Sequence, residues 1–122
     1  MTKKILIVDD EPDTIKLLTL RLEKNGYQVI PCLTGNEALT AVRHSRPDLA
    51  ILDIKLPDMN GYDVLKRFRD NPTLKDMPVI FSTADASVAL KRTVREYDAD
   101  AFVIKPYDAQ DLLKKIHTLL AA

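Results

Sequence analysis

The chain has 122 residues, of which 46% are hydrophobic and 30% are charged. This composition is typical of one globular domain and excludes a disordered segment. Its 18 basic residues balance its 18 acidic residues, so the overall charge gives no attraction to nucleic acid or to an acidic membrane surface. Direct binding to nucleic acid is therefore not expected.

The sequence also indicates the cellular compartment and limits what its single cysteine can do. Cys32 is the only cysteine, which excludes an internal disulfide and a thiolate metal cluster, and we expect a half-buried thiol in a reducing compartment. The apolar run Ile5–Val8 is shorter than the roughly 7–15 residues of a secretory signal. No run approaches the ~18 apolar residues of a membrane span. We expect a cytoplasmic protein with no membrane insertion.

Five short segments are predicted to be strands. Four of them are continuous apolar runs, which is typical of strands buried on both faces of a parallel sheet. The more polar Tyr27–Pro31 contains a proline, which favours an edge strand. The four apolar runs are Ile5–Val8, Leu49–Leu52, Pro78–Phe81 and Ala101–Ile104.

Each predicted strand is followed by an amphipathic segment with helical spacing. Pro12 suits the first turn of the first helix, and Asn25-Gly26 ends it. The fourth segment is the weakest and the fifth is the strongest. The apolar stripes run, in chain order, from Ile15 to Leu22, Ala38 to Val42, Val64 to Phe68, Leu90 to Tyr97 and Leu112 to Leu120.

The alternation of strands and helices predicts an α/β fold, a doubly wound five-stranded parallel sheet with helices on both faces. No linker or repeat divides the chain, so residues 1–122 are expected to form a single domain. In such sheets, ligands bind beyond the carboxyl ends of the strands. The polar residues at those ends are Asp9 and Asp10, Asp53, Ser82 and Thr83, and Lys105-Pro106.

Three carboxylates meet at this edge if the first and third strands are neighbours. Their mutual repulsion would raise the pKa of at least one of them, and a hard divalent cation such as Mg²⁺ would relieve it. The alternative is that Asp9 and Asp10 only cap the first helix. That interpretation leaves Asp53, Thr83 and Lys105 unexplained, so we favour the metal site.

A metal ion with open coordination positions is well suited to phosphate oxygens, and Asp53 can then act as a nucleophile that forms an aspartyl-phosphate. Lys105 would supply a cation for one phosphoryl oxygen, and the Thr83 hydroxyl would donate to another. Taken alone, Lys105 fits a solvated surface lysine and Thr83 fits a helix N-cap. The combination, rather than any one residue, indicates phosphoryl chemistry.

At this point the sequence resembles the receiver domain of response regulators in bacterial two-component systems, of the chemotaxis-regulator kind, either stand-alone or as an isolated receiver. The resemblance covers Lys4 to about Leu120. It implies a flavodoxin-like strand order of 2-1-3-4-5 and a (βα)5 fold. Four segments carry it, Ile5–Glu11, Leu52–Gly61, Pro78–Ala84 and Phe102–Tyr107.

The resemblance implies that Asp53 is the phosphoacceptor. Asp10 and Asp53 would bind Mg²⁺ directly, Asp9 would act partly through water, and the backbone carbonyl of Lys55 would complete the protein ligands. No other cofactor is implied.

The same resemblance implies a conformational switch. Thr83 would move toward the phosphoryl group, Phe102 would rotate inward behind it, and Lys105 would pair with a phosphoryl oxygen. The bond before Pro106 is often cis in this family. Because Phe102 replaces the more frequent tyrosine, aromatic burial must take the place of a phenol hydrogen bond.

The implied partners are proteins. The phosphoryl donor would be a phosphohistidine of a sensor histidine kinase or of a histidine phosphotransfer protein. The output would pass through the face of helix four, strand five and helix five to a downstream effector protein or to an effector domain missing from this sequence. Val88, Tyr107 and nearby lysines are candidates for a docking surface.

Five further residues also carry expectations. Asp98 stands where a glycine usually ends the fourth helix, and aspartate tolerates that backbone conformation. Lys55 and Asp85 are hypothesised to pair across the pocket and slow hydrolysis of the acyl phosphate, the alternative being two solvated surface charges. His44 and His117 are expected to be ordinary exposed histidines.

Two other functions remain as alternatives. A phosphatase-like hydrolase would also use an aspartate nucleophile and Mg²⁺, but it normally carries a second carboxylate two residues after the nucleophile, where this chain has Lys55. A flavodoxin-like redox protein would need a phosphate-binding loop after the first strand, where this chain has acids. We therefore expect a signalling switch and no turnover of a separate substrate.

Overall fold

The computed structural model describes residues 2–84 and 99–121. Its described residues form five strands and four helices. These are β1 (Lys4–Val8), α1 (Pro12–Lys24), β2 (Gln28–Cys32), α2 (Gly35–His44), β3 (Leu49–Asp53), α3 (Gly61–Asp70), β4 (Val79–Thr83), β5 (Ala101–Ile104) and α4 (Ala109–Ala121).

Helix α4 is the predicted fifth helix. The predicted fourth helix, with its stripe from Leu90 to Tyr97, lies outside the described residues. So do Asp85, Val88 and Asp98, and with them the hypothesis that Lys55 pairs with Asp85.

The five strands form one parallel sheet in the order β2-β1-β3-β4-β5. This confirms the flavodoxin-like strand order and the expectation that β2, which contains Pro31, is an edge strand. The order reverses between β1 and β3, where the chain first moves out to β2 and then returns to the other side of β1. This reversal opens a crevice at the carboxyl ends of β1 and β3.

The sheet separates two hydrophobic cores, because successive side chains on a strand point to opposite faces. On one face, Val8, Leu52 and Phe81 pack with Phe68 of α3. Residues on the other face pack against α1 and α4, with Leu22, Leu112 and Ile116 all fully buried. The helices therefore cover both faces, as predicted for a doubly wound sheet.

Some predicted boundaries were one or two residues wrong, and two of these matter for the site. Asp53 is the last residue of β3, because its backbone pairs with Ser82, and β4 continues to Thr83, which pairs with Ile104. Asp53 and Thr83 are thus held by the sheet rather than by loops. Cys32 is 3% exposed, so it is fully buried rather than half-buried.

Candidate functional site

The three predicted acids meet at the carboxyl ends of β1 and β3. Carboxylate oxygens of Asp9, Asp10 and Asp53 lie within 4.8 Å of one another. Asp9 and Asp53 are buried, at 4% and 7% exposure, whereas Asp10 is exposed. The Asp9 amide donates to the carbonyl of Cys32 at 3.0 Å, which extends the pairing of β1 with β2 by one residue and fixes the direction of Asp9.

Lys105 provides the cation among these acids. Its Nζ lies 2.7 Å from Oδ2 of Asp9 and 3.2 Å from Oδ2 of Asp53. Its backbone amide donates to the carbonyl of Thr83 at 2.7 Å, so the residue after β5 stays attached to β4. The bond between Lys105 and Pro106 is cis, as the resemblance implied. The surface-lysine alternative is wrong, because the Lys105 side chain is only 16% exposed.

Burial and charge act on this group in opposite directions. Burial raises the pKa of Asp53, and the neighbouring Asp9 adds to this, while Lys105 offsets part of it. For Lys105, burial alone would lower the pKa, but hydrogen bonds and charges from Asp9 and Asp53 outweigh it and raise the pKa. Lys105 therefore stays protonated at neutral pH, and the cluster combines three acids with one partly buried cation.

Helix capping explains only part of the arrangement. The residue at the N-cap of α1 is Glu11, whose side chain makes no capping hydrogen bond. Oδ1 of Asp9 does accept from the amide of Glu11 at 2.9 Å. Because Oδ2 of Asp9 faces Lys105, capping accounts for one of its oxygens and not for the cluster.

The loop between β3 and α3 is close-packed against the phosphoacceptor candidate. The amide of Lys55 donates to Oδ1 of Asp53 at 3.4 Å, and the amide of Gly61 donates to the carbonyl of Ile54 at 2.7 Å. A Cβ on Gly61 would meet the carbonyl oxygen of Asp53 and would lie 2.9 Å from Cα of Ile54. Only glycine lets α3 begin so close to the end of β3.

The two candidate switch residues lie on β4 and β5. Thr83 is the last residue of β4 and is 3% exposed; the helix that it would cap lies outside the described residues. Phe102 is partly buried, and its ring centroid lies 5.5 Å from that of Phe81. Phe81 in turn makes an edge-to-face contact with Tyr62 of α3, at 5.3 Å. An aromatic row thus connects β5 to α3 behind the site.

A cavity of about 450 Å³ opens over the acids. Sequence reasoning missed Glu11 as a member, although it directly follows the two acids; its Oε1 lies 3.9 Å from Nζ of Lys105. Burial, followed by the charge of Asp9, raises the pKa of Tyr107. The cavity is lined by Asp10, Glu11, Asp53, Lys55, Thr83, Ala84 and Lys105.

The histidines take no part in this site. Both are exposed, as expected. His117 Nδ1 lies 2.7 Å from the Tyr27 hydroxyl, which joins α4 to the segment before β2.

The donor set fits a hard dication. Magnesium binds oxygen at about 2.0–2.1 Å, so two opposite ligands of an octahedral ion are about 4.2 Å apart. The acid oxygens all lie within 4.8 Å of one another, so one such ion can be shared among them, directly or through water. The four acids around the pocket, Asp9, Asp10, Glu11 and Asp53, outnumber its two lysines, Lys55 and Lys105, so a negative charge remains to be neutralised.

Comparison with known proteins agrees with the fold. The family model described as the response regulator receiver domain matches residues 5–117. The chain is 39% identical to "Probable transcriptional regulator ycf27" of Cyanophora paradoxa over 118 residues, which are 97% of this chain and 48% of that protein. The chain thus spans about half the length of the first curated relatives that it matches.

Solved structures give the same result. A putative response regulator from Chloroflexus aurantiacus superposes with a TM-score of 0.92 at 33% identity, with 100% of both chains covered. The response regulator TrrA of Thermotoga maritima, solved in complex with Mg(2+)-BeF, gives a TM-score of 0.85 at 33% identity, covering 97% of this chain and 99% of that one.

The parallel sheet with its reversal at β1 and β3, and the acids beside a lysine, define a receiver of the two-component signalling type. The chain belongs to the response regulator receiver domain family. Among its described residues, no helix is both long and apolar enough to cross a bilayer.

Proposed function

We propose that this chain is a phosphorylation-activated switch in which Asp53 accepts a phosphoryl group in a Mg²⁺-dependent reaction. The observation that carries the proposal is the position of the Asp53 carboxylate. It is buried at the end of β3, within 4.8 Å of two other acids and 3.2 Å from the Lys105 ammonium. A carboxylate with these neighbours can attack a phosphorus atom while the incoming charge is neutralised.

The cation would be held by the acids. Asp10 and Asp53 would bind Mg²⁺ directly, Asp9 partly through water, and the carbonyl of Lys55 would be the remaining protein ligand. When bound, the ion supplies positive charge for the phosphoryl oxygens. The relative TrrA, solved with Mg(2+)-BeF, supports this assignment.

The chain's own residues would do the rest. An oxygen of Asp53 forms the new bond to phosphorus as the phosphorus–nitrogen bond of a phosphohistidine breaks, and the imidazole leaves with the electron pair. Lys105, already charged and directed at Asp53, pairs with a phosphoryl oxygen. The Thr83 hydroxyl donates to another oxygen, and Phe102 turns inward along the aromatic row behind it.

The partners follow from this chemistry. The donor would be a sensor histidine kinase or a histidine phosphotransfer protein, and residues 1–122 would act as one receiver domain in the cytoplasm. The signal would pass through β5, α4 and the segment before β5 to an effector. The name of the ycf27 relative, a probable transcriptional regulator, fits an effector that is part of a longer protein.

The alternative, a phosphatase-like hydrolase, is not favoured. Its general acid would stand at residue 55, where Lys55 lines the cavity. A lysine side chain does not replace the carboxyl group that such a hydrolase uses as its general acid. The chain would accept and slowly lose one phosphoryl group without turning over a separate substrate.

Labelling by a small acyl phosphate tests the proposal. With Mg²⁺, the native chain should take up no more than one phosphoryl group per molecule, and both EDTA and Asp53→Asn should abolish uptake. The same samples should release no product from a generic phosphate ester. Sustained ester turnover that needs Asp53 would instead establish the hydrolase.

A further inference from the structure

Asp58 ties the loop after the phosphoacceptor candidate to a different helix. Its Oδ1 accepts from the amide of Gly35 at 2.9 Å, and its Oδ2 accepts from the amide of Asn36 at 2.9 Å. These two amides belong to the first turn of α2, where backbone donors have no partner within the helix. One carboxylate thus caps a helix from 22 residues away.

The carboxylate suits this position electrostatically. The amides of Asn36 and Gly35 lower the pKa of Asp58, and the N-terminal end of a helix favours negative charge. Asp58 is therefore ionised near neutral pH, and both of its oxygens accept a hydrogen bond.

Helix α2 has its own cap as well. Oγ1 of Thr34 accepts from the amide of Glu37 at 3.0 Å, and Oε1 of Glu37 accepts from the amide of Leu33 at 3.2 Å. This local arrangement satisfies the amides of Glu37 and Leu33, while Asp58 satisfies those of Gly35 and Asn36. The helix start therefore keeps one cap of its own when Asp58 is lost, whereas the tip of the loop loses both of these hydrogen bonds.

The rest of the loop is fixed at its two ends. Lys55 and Asn60 form an isolated antiparallel bridge across its base, and Oδ1 of Asn60 caps α3 by accepting from the amide of Tyr62 at 2.8 Å. Between these residues, Met59 packs so closely on Gly35 that a Cβ there would meet its side chain. Asp58 is the polar attachment at the tip of the loop.

We propose that Asp58 is a positioning residue that anchors the 54–60 loop on α2 and so holds the Lys55 backbone in place beside Asp53. The inference rests on the proposed function, because it assigns the loop a part in holding Mg²⁺. Asp58 itself touches neither the cation nor the phosphoryl group. Its loss should let the loop move and should weaken Mg²⁺ binding, leaving the nucleophile and Lys105 intact.

The test compares Mg²⁺ affinity, by calorimetric titration with the metal alone, in the native chain, Asp58→Ala, Asp58→Asn and Thr34→Ala. Thr34→Ala is the matched control, because it removes a cap from the same helix without touching the loop. Partners of metal ligands typically contribute about 10–100-fold to affinity. We expect about a tenfold loss for Asp58→Ala, a smaller loss for Asp58→Asn, which keeps one acceptor oxygen, and less than about a twofold change for Thr34→Ala.

A second readout separates positioning from general damage. The rate of labelling by the acyl phosphate should require more Mg²⁺ in Asp58→Ala but should reach the native value at saturating Mg²⁺. Equal affinity in the native and both Asp58 variants would overturn the inference, as would an equal loss in Thr34→Ala. A native chain that binds no Mg²⁺ would instead overturn the proposed function itself.

Discussion

At the scale of single residues, the site depends on the balance between Lys105 and two buried acids. Nζ of Lys105 contacts both Asp9 and Asp53. Removing a cation from buried carboxylates leaves their charge without compensation, which costs more than the loss of an exposed pair. The lysine should therefore stabilise the metal-free fold as well as take part in phosphoryl transfer.

Lys105→Met should lower the free energy of unfolding by about 1–3 kcal/mol without Mg²⁺, measured by urea denaturation in EDTA. Added Mg²⁺ should restore part of the loss, because the metal ion replaces the missing charge. Lys115→Met is the control, since Lys115 pairs with Asp111 at 2.7 Å on the exposed side of α4, and it should cost at most about 0.5 kcal/mol. Equal losses in the two variants would contradict the account.

The pKa of Cys32 makes the stability of the chain depend on pH, and the direction of the shift fixes the sign of that dependence. Burial, followed by the charge of Glu37, raises the pKa of the thiol to about 11. The pKa of an unfolded cysteine is about 8.5. The contribution to stability is complete below pH 8.5 and is lost as the pH rises toward 11. Between pH 9 and 11, Cys32→Ala should thus lose less stability than the native chain, as measured by urea midpoints. Parallel curves for the two proteins would show that the thiol does not contribute.

The roles of single residues were predictable from the sequence only for residues at the carboxyl ends of strands. Asp9, Asp53 and Lys105 were found because parallel strands bring their carboxyl ends to one edge. The role of Asp58 was not, because its partners lie 22 and 23 residues earlier in the chain and no local pattern marks the contact. Glu11 could have been found, since it directly follows the two acids.

At the scale of elements, the beginning of α3 determines the shape of the site. Gly61 lies against the backbone of Asp53 and Ile54. Asp53 is the last residue of β3 and Ile54 follows it directly, so neither backbone can move without displacing that strand. The start of α3 and Asp53, the proposed phosphoacceptor, are therefore packed as one unit.

Gly61→Ala should destabilise the chain by more than about 2 kcal/mol, because its new methyl group meets backbone rather than a flexible side chain. Gly26→Ala is a useful comparison, since φ there is +87° but nothing lies within 4 Å of the added Cβ; it should cost about 1 kcal/mol. Urea denaturation measures both values. A smaller loss at residue 61 than at residue 26 would show that α3 can shift freely.

The elements themselves were largely predictable from the sequence. Apolar runs gave β1, β3 and β5 to within one residue, because strands buried on both faces need continuous hydrophobicity. Strand ends were less certain: Asp53 and Thr83 pair as strand residues although they are polar, and only the neighbouring strands decide that. The N-terminus of α2 is hydrogen-bonded to the 54–60 loop, which belongs to the next βα unit. Hydrophobic periodicity does not indicate such a contact.

At the scale of the whole molecule, the order of the strands turns distant acids into one site. The alternation of strands and helices predicted a parallel sheet, but it did not by itself place β1 beside β3; that came from the family resemblance and is confirmed by the pairing of Val8 with Leu52. The stability of the chain should consequently depend on whether a dication is present.

Mg²⁺ should raise the free energy of unfolding of the native chain, by about 1.4 kcal/mol at ten times the dissociation constant. Asp10→Asn should be at least as stable as the native chain in EDTA, because it removes one of three crowded charges, and it should gain much less from Mg²⁺. Thermal unfolding with and without the metal measures both effects. An equal gain in the two proteins would place the metal elsewhere.

The most direct test of the central claim is to locate the phosphoryl group on the chain. After exposure to a small acyl phosphate with Mg²⁺, fragment mass spectrometry should find one modified residue, Asp53, and should find none in Asp53→Asn or in EDTA. Modification at Asp9 or Asp10, or uptake that persists in Asp53→Asn, would show that the buried acid at the end of β3 is not the phosphoacceptor.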